Sequence, residues 1–305
     1  MKGGRKIATG EGQIPMFGGT WTGQKLAMLR DYLSAYRKAM KNQPFELTYI
    51  DGFAGAGYRE LRQEKPSGGL LLPELAEEEP REFLEGSARI ALKIDPPFHE
   101  YVFVEKDPER VRALNALKAE FPSLAERIQV KESDCNVYIS DLCGGTDWQN
   151  RRAVLFLDPF GMQVEWSTLE AVALTKAIDV WILFPLGSVM RLLKNDGNVP
   201  DTWSRRLDSI FGEPDWRDAF YEDKTRNTLF GAEEAVSKTA TFDKVSKYWV
   251  ERLKSSFSGV ADNPKVLHNS GGTPLFLFCF AVSNPSRAAR ALALKIAGHI
   301  LNMRD

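Results

Sequence analysis

The sequence predicts an α/β fold: a mostly parallel sheet with helices on both faces, completed by a C-terminal antiparallel hairpin and a helical insertion. Short apolar runs bounded by turn residues alternate with helical periods, which is typical of parallel strands buried on both faces. Further along, two apolar runs at 265–269 and 274–282 flank a glycine turn, which indicates an antiparallel pair. The five predicted parallel strands lie in the runs 45–50, 101–104, 128–130, 153–157 and 180–184.

An amphipathic helix is predicted before the first strand. Thr20 or Thr22 can provide its N-cap. Its apolar residues recur at spacings of three and four, which marks one buried face: Leu26, Leu29, Leu33, Tyr36 and Met40. We therefore expect this helix to pack on the sheet.

A second helix is predicted between the strands at 101–104 and 128–130. Asp107 and Pro108 supply its N-cap and first-turn proline, and Phe121-Pro122 is predicted to end it. A strand, a helix and a parallel strand in succession form a βαβ crossover. Repetition of this unit predicts a Rossmann-like domain.

Length and composition favour one large domain. The chain has 305 residues, of which 43% are hydrophobic and 27% charged, so it can bury a full core without disulfides. We expect a flexible N-terminus at 1–19 and a single Rossmann-like domain at 20–305. Within it, the acidic stretch 70–85 reads as an exposed insertion. The mostly helical insertion at about 188–262 is either a lid over the strand ends or a packing layer.

The remaining composition predicts a soluble cytoplasmic protein. Three cysteines, an odd number, match no zinc or disulfide spacing, which favours a reducing compartment. No apolar run is long enough to cross a membrane, and the first residues lack an export signal. A net charge of −1 disfavours a nonspecific nucleic-acid binder, although a local basic patch is compatible with it.

The sharpest local feature is a glycine-rich turn that follows the first strand, D-G-F-A-G-A-G at 51–57. Gly55 and Gly57 are expected to reach positive φ and to let a ligand approach the main chain. A dinucleotide fingerprint would need a third glycine at position 60, where the chain has Glu60, and no P-loop motif is present. The turn therefore favours a methionyl or ribosyl group over a phosphate.

Acidic residues also follow the next three predicted strands. Glu105 ends the second and could accept hydrogen bonds from ribose hydroxyls, Asp134 follows the third and could accept from an adenine amino group, and Asp158 ends the fourth. Any one of them could instead be a helix N-cap or a turn residue. Because ligands of open α/β sheets bind at the carboxyl ends of the strands, the repeated pattern predicts one binding crevice.

The order of these features resembles that of the class I S-adenosylmethionine-dependent methyltransferases. The string at 51–57 is similar to the D-x-F-x-G-x-G form of amino-group methyltransferases that act on nucleic acids. More narrowly, residues from about 21 to 300 resemble the three-Cys-motif partner protein family. The segments that carry this resemblance are I-D-G-F-A-G (50–55), G-S-A (86–88), F-V-E-K-D-P (103–108), L-D-P-F-G (157–161) and the strand at 181–185.

The resemblance implies S-adenosylmethionine as the cofactor and a separate protein with a three-cysteine motif as a partner. It implies that Glu105 binds the ribose and that Asp134, with Cys135 after it, lies beside the adenine. The methionine part would lie against the glycine turn, namely Asp51, Phe53, Ala54, Gly55 and Gly57.

The resemblance also implies catalytic roles for Asp158, Pro159 and Phe160. They stand where amino methyltransferases carry [DN]-P-P-[YF], in which the acid or amide and a proline carbonyl accept from the target amino group and the aromatic ring stacks on an extruded base. In this chain the aromatic residue comes one position early and Gly161 takes its usual place.

We expect a methyltransferase that acts on an amino nitrogen of a nucleic-acid base. The alternative is a cofactor-binding but non-catalytic partner subunit of a three-Cys-motif protein. A dehydrogenase ranks third because Glu60 breaks the dinucleotide fingerprint. The three histidines, at 99, 268 and 299, are expected to be structural or exposed.

Overall fold

A computed structural model describes residues 20–55, 86–228 and 231–303. The N-terminus at 1–19, Gly57, Glu60 and the acidic stretch 70–85 lie outside the described residues. The described strands, in chain order, are β1 (Glu46–Asp51), β2 (Glu100–Glu105), β3 (Ile128–Glu132), β4 (Arg151–Leu157), β5 (Ile178–Phe184), β6 (Tyr221–Thr228), β7 (Gly231–Lys238), β8 (Gly259–Val260), β9 (Lys265–His268) and β10 (Pro274–Val282).

The helices alternate with these strands over the first half of the chain. A short 3₁₀ helix follows the third of them at Pro122–Arg127. The described α-helices are α1 (Thr20–Ala39), α2 (Ser87–Leu92), α3 (Pro108–Glu120), α4 (Cys135–Gly145), α5 (Trp166–Leu174), α6 (Leu186–Leu192), α7 (Asp201–Phe211), α8 (Trp216–Phe220), α9 (Phe242–Ser256) and α10 (Arg287–Asn302).

The main sheet confirms the predicted fold class. Its strand order is β3-β2-β1-β4-β5-β10-β8, with β9 also paired to β10. The first five strands are parallel, and β10 runs antiparallel to β5, β8 and β9. The hairpin of β9 and β10 is the predicted C-terminal pair. The chain is therefore a Rossmann-like α/β domain whose parallel strands all end at one edge, called the carboxyl edge below.

Two apolar layers cover the sheet because successive side chains of a buried strand point to opposite faces. On β5, Val180 and Ile182 join one core cluster with α4, α5, α7 and α9. Trp181 and Leu183 join the other with α1, α2, α3 and α10. All seven residues of β5 are buried, as expected for a central strand. The predicted helices on both faces are thus present.

The predicted caps place α3 correctly. Asp107 accepts hydrogen bonds from the backbone N–H groups of Glu109 at 2.8 Å and Arg110 at 3.0 Å, and the helix ends before Phe121. This cap fixes the start of α3 directly after β2, at the carboxyl edge.

The insertion at 188–262 is less purely helical than predicted, and its last residues include β8, which pairs with β10 of the main sheet. Besides α7, α8 and α9 it contains a two-stranded antiparallel sheet, β6 with β7. The sequence of β6, Y-E-D-K-T-R-N-T, has no apolar alternation, so periodicity gave no strand signal. Trp216 and Trp249 are fully buried, and Trp249 stacks on Phe184 at 4.3 Å between ring centroids. This part of the insertion packs on the sheet.

Two further sequence expectations concern the cysteines and the membrane. Cys135, Cys143 and Cys279 are free thiols that lie buried in the core, as expected for small apolar residues. Within 20–55, 86–228 and 231–303, no helix combines the length and the hydrophobicity that crossing a bilayer requires.

Candidate functional site

Asp51 ends β1 at the carboxyl edge, between β2 and β4. Its side chain is fully buried and accepts hydrogen bonds at 3.3 Å from the backbone N–H of Phe53 and from the Tyr49 hydroxyl. Burial raises the pKa of Asp51 to about 7, and the nearby charge of Asp158 adds to the rise, while hydrogen bonds, first of all from Ser87, oppose it. Asp51 can therefore exchange a proton near neutral pH.

The turn after Asp51 is tied to both neighbouring strands. The Gly52 N–H donates to the Phe156 carbonyl in β4, and the Ala54 N–H donates to the Val104 carbonyl in β2, both at 2.9 Å. These bonds hold the start of the turn rigidly at the centre of the carboxyl edge. Phe53 between them is half-buried.

The two glycines of the described turn have different roles. A Cβ on Gly52 would lie 2.7 Å from Leu157 Cδ2 and 2.8 Å from Cys135 Sγ, so this position allows close packing beneath the turn. A Cβ on Gly55 would meet no atom of the described residues within 4 Å. The prediction that Gly55 uses positive φ is wrong, because its backbone is not in that region. What Gly55 provides is open space beside the main chain.

Glu105 ends β2 and is anchored by its own turn. Its Oε1 accepts from the backbone N–H groups of Lys106 at 2.8 Å and Asp107 at 2.9 Å. Its Oε2 lies 3.7 Å from Arg110 Nη1, and the side chain is 9% exposed. One carboxylate oxygen is thus fixed by the backbone, while the other faces Arg110.

Asp134 is the N-cap of α4, after β3 at the same edge. Its Oδ1 accepts from the Asn136 N–H at 2.9 Å, and its side chain is exposed. Cys135 is buried beneath Gly52, and burial raises the pKa of its thiol. The Cys135 side chain is therefore a packing group, and a contact of this residue with a ligand would have to come from its backbone.

Asn136 fixes the loop that follows β4. Its side-chain amide donates to the Gln163 carbonyl at 2.9 Å and accepts from the Glu165 N–H at 3.0 Å. It also accepts from the Thr168 hydroxyl at 2.9 Å. Asn136 thus ties the loop that follows Asp158, Pro159 and Phe160 to α4.

Asp158 is engaged by a lysine that the sequence analysis did not select. Lys25 Nζ of α1 donates to Asp158 Oδ2 at 2.6 Å; the Lys25 side chain is 4% exposed and that of Asp158 23%. The ammonium also lies 4.7 Å from the Trp21 ring centroid, and Trp21 packs on Phe276 of β10 at 4.9 Å. The start of α1 therefore covers the β4 to β10 side of the carboxyl edge.

The other two predicted catalytic residues differ in exposure. Pro159 is buried, whereas the Phe160 side chain is 41% exposed, which is unusual for a large aromatic group. The Phe160 N–H donates to Gln163 Oε1 at 3.1 Å, and Gly161 follows at φ 80°. The Phe160 ring contacts Arg110, whose guanidinium carbon is 5.3 Å from the ring centroid.

The structure places the acids of β1, β2, β3 and β4 at one edge, as the sequence predicts. The residues that the sequence analysis missed were Lys25, Ser87, Arg110 and Asn136. One signal was available for Lys25: it lies on the apolar face of α1, one turn before Met28 and Leu29, where a lysine is unexpected. Asn136 and Arg110 gave no local signal, since their roles depend on contacts with a distant loop.

Comparisons with known proteins give only distant structural likenesses. No family model matches the chain, and no curated protein matches its sequence. Protein LPL1258 from Legionella pneumophila aligns with 75% of this chain and 91% of its own, at 13% identity and a TM-score of 0.36.

Two structures solved with S-adenosylmethionine illustrate the level of these likenesses. The O-methyltransferase TomG from Streptomyces achromogenes, solved with S-adenosylmethionine, aligns with 71% of this chain and 80% of its own (12% identity, TM-score 0.33). TYW2 from M. jannaschii, also solved with this cofactor, aligns with 66% and 71% (14% identity, TM-score 0.26). Such scores do not decide the activity of this chain, which must be inferred from its own residues.

Proposed function

We propose that this chain binds S-adenosylmethionine at the carboxyl edge and transfers its methyl group. One observation carries the proposal: four adjacent strands, β3, β2, β1 and β4, each lead into an acidic residue, namely Asp134, Glu105, Asp51 and Asp158. They surround a turn in which a Cβ on Gly55 would contact none of the residues that the structure describes. Ligands of open α/β sheets bind at such an edge.

The residues present fit the chemical groups of this cofactor. Glu105 Oε2 suits the ribose hydroxyls because Oε1 is already fixed by two backbone N–H groups. The exposed Asp134 suits the adenine amino group, and the turn from Asp51 to Gly55 suits the methionine part, whose ammonium would favour an ionised Asp51. When bound, S-adenosylmethionine supplies an electrophilic methyl group on a sulfonium.

On the acceptor side, the chain contributes Asp158 and the Pro159 carbonyl. These acceptors would orient the hydrogens of an amino group, so that proximity and orientation supply the rate enhancement. The acceptor we propose is an amino nitrogen of a nucleic-acid base. Lys25 already holds Asp158 Oδ2, so the acceptor must use Oδ1 or replace the lysine.

The Lys25 to Asp158 ion pair also favours a second candidate function. The Asp158 carboxylate already has a partner within the chain and is therefore satisfied without a methyl acceptor. This is the state expected of a subunit that binds the cofactor without catalysis. In that case the three-Cys-motif protein would be the partner that this subunit serves, either by supplying the missing chemistry or by displacing Lys25.

Transfer of a labelled methyl group tests both candidates. The full chain is incubated with methyl-labelled S-adenosylmethionine and total nucleic acid or protein from the native host, with and without the three-cysteine partner. We expect label in nucleic acid, and we expect Asp158→Ala to abolish it while cofactor affinity stays nearly intact, because that contact is made to the acceptor. Cofactor binding without any labelling in either condition would contradict the enzyme and support the binding subunit.

A further inference from the structure

The contact between Arg110 and Phe160 bridges the candidate crevice. Arg110 lies in the first turn of α3, after β2, and Phe160 lies after β4. Since β1 is the strand between β2 and β4, their 5.3 Å contact joins the two strands that flank the carboxyl end of β1. A guanidinium at this distance from an aromatic ring makes a cation–π contact.

Both ends of the bridge are fixed by the main chain. The Arg110 N–H donates to the capping Asp107 at 3.0 Å. On the other side, the Phe160 N–H donates to Gln163 Oε1 at 3.1 Å, and Asn136 holds the Gln163 carbonyl. Each of the two side chains therefore extends from a backbone segment that is fixed by hydrogen bonds to other residues.

The position of Arg110 connects the bridge to the ribose acid. Arg110 Nη1 is 3.7 Å from Glu105 Oε2, too far for a strong hydrogen bond. Ribose hydroxyls can therefore take this oxygen while the guanidinium stays on the Phe160 ring. The Phe160 side chain is 41% exposed, which leaves an apolar surface beside the proposed nucleoside site.

We propose that Arg110 and Phe160, the Arg110–Phe160 strap, cover the nucleoside part of S-adenosylmethionine. This inference rests on the proposed function and reassigns Phe160. The sequence predicts that its ring stacks on an acceptor base, whereas its contact with Arg110 places it on the cofactor side. The strap adds an apolar wall and a delocalised cation to a site otherwise made of acids and backbone, and both groups attract an adenosine ring system.

Calorimetric titration of the full chain with S-adenosylmethionine tests the strap. Phe160→Ala and Arg110→Ala should each weaken binding by roughly 5- to 20-fold, and Phe160→Tyr should keep wild-type affinity because it retains the ring. Arg112→Ala is the matched control: Arg112 is on the same helix, 74% exposed, and pairs only with Glu109 among the contacts described. It should leave the affinity unchanged.

The outcomes separate the strap from the proposed function. If the wild type binds and both Phe160→Ala and Arg110→Ala keep its affinity, the strap alone is overturned. If Phe160→Ala loses methyl labelling but keeps its affinity for the cofactor, Phe160 belongs to the acceptor side. Absence of binding by the wild type would overturn the strap and the cofactor assignment together. Melting temperatures close to that of the wild type, expected for side chains that are 40% (Arg110) and 41% (Phe160) exposed, show that the variants are folded.

Discussion

Two buried acids, Asp51 and Asp179, lie at opposite edges of the same sheet, and burial raises the pKa of each to about 7. Asp179 near the start of β5 accepts a hydrogen bond from Tyr32 of α1 at 2.7 Å. Asp51 ends β1 beside the glycine turn and the acids of the neighbouring strands. Burial is the main cause of both shifts, so a raised pKa does not by itself mark a ligand site. Position at the carboxyl edge, where ligands of such sheets bind, is what distinguishes the candidate site residue.

The largest expected effect is on the pH dependence of stability. Both acids hold a proton in the folded state up to about pH 7 and release it near pH 4 when unfolded. The unfolded state therefore binds fewer protons between these pH values. The contribution of the two acids to the free energy of unfolding is full below about pH 4 and is lost as the pH rises to about 7. Each acid can account for up to roughly 4 kcal/mol of this loss.

Asn variants separate the two acids. Asp179→Asn and Asp51→Asn each imitate the protonated acid, so each should flatten the free energy of unfolding between pH 4 and 7 in denaturant titrations. Only Asp51→Asn should also weaken S-adenosylmethionine, by roughly tenfold, since it removes a carboxylate from the methionine part. Equal cofactor affinities for the two variants would show that Asp51 is as structural as Asp179.

The contact of Lys25 with Asp158 extends the comparison to the N-terminal part of α1. Asp158→Ala removes a counter-ion from the buried Lys25 ammonium and should cost roughly 2–4 kcal/mol of unfolding free energy. Lys25→Met should cost less, because Asp158 is the more exposed partner. Arg30→Ala, which breaks the exposed pair with Asp31, is the control and should cost at most about 1 kcal/mol. Thermal unfolding of the three variants ranks their losses of stability. A larger loss in Arg30→Ala than in Asp158→Ala would show that the Lys25–Asp158 pair is not buried as described.

The smallest expected effect on stability is a difference between alanine substitutions of two glycines in one turn, Gly52 and Gly55. Gly52→Ala should cost roughly 1–3 kcal/mol, because the added methyl meets Leu157 and Cys135 below 3 Å. Gly55→Ala should leave unfolding unchanged, since its Cβ would enter open space, yet it should weaken the cofactor if the ligand occupies that space. Denaturant unfolding measures the stability of both variants, and calorimetry measures their affinity for the cofactor. Unchanged cofactor affinity in Gly55→Ala would move the ligand away from the turn.

The sequence was sufficient for features with a local cause. The five parallel strands follow from short apolar runs, and the start of α3 follows from Asp107 and Pro108. The acids at the strand ends could be predicted together because parallel topology brings all carboxyl ends to one edge.

Features that depend on long-range contacts could not be predicted in this way. Lys25 meets Asp158 across 133 positions of the chain, and only its place on the apolar face of α1 hinted at a buried partner. The β6 to β7 sheet lacks apolar alternation, so its strands are specified by pairing with each other. The role of Arg110 depends on the loop after β4, which no local pattern connects to α3.

The most direct test of the central claim is calorimetric binding of S-adenosylmethionine to the wild-type chain and to Glu105→Ala and Glu109→Ala. We expect a dissociation constant no tighter than about micromolar, equivalent to about 8 kcal/mol. Glu105→Ala should lose roughly 1.5–3 kcal/mol of binding free energy, because its carboxylate bonds the ribose hydroxyls. Glu109→Ala should lose none, since its side chain is 71% exposed on α3. The account is contradicted if the wild type binds a nicotinamide dinucleotide but not S-adenosylmethionine or its demethylated product at millimolar concentration.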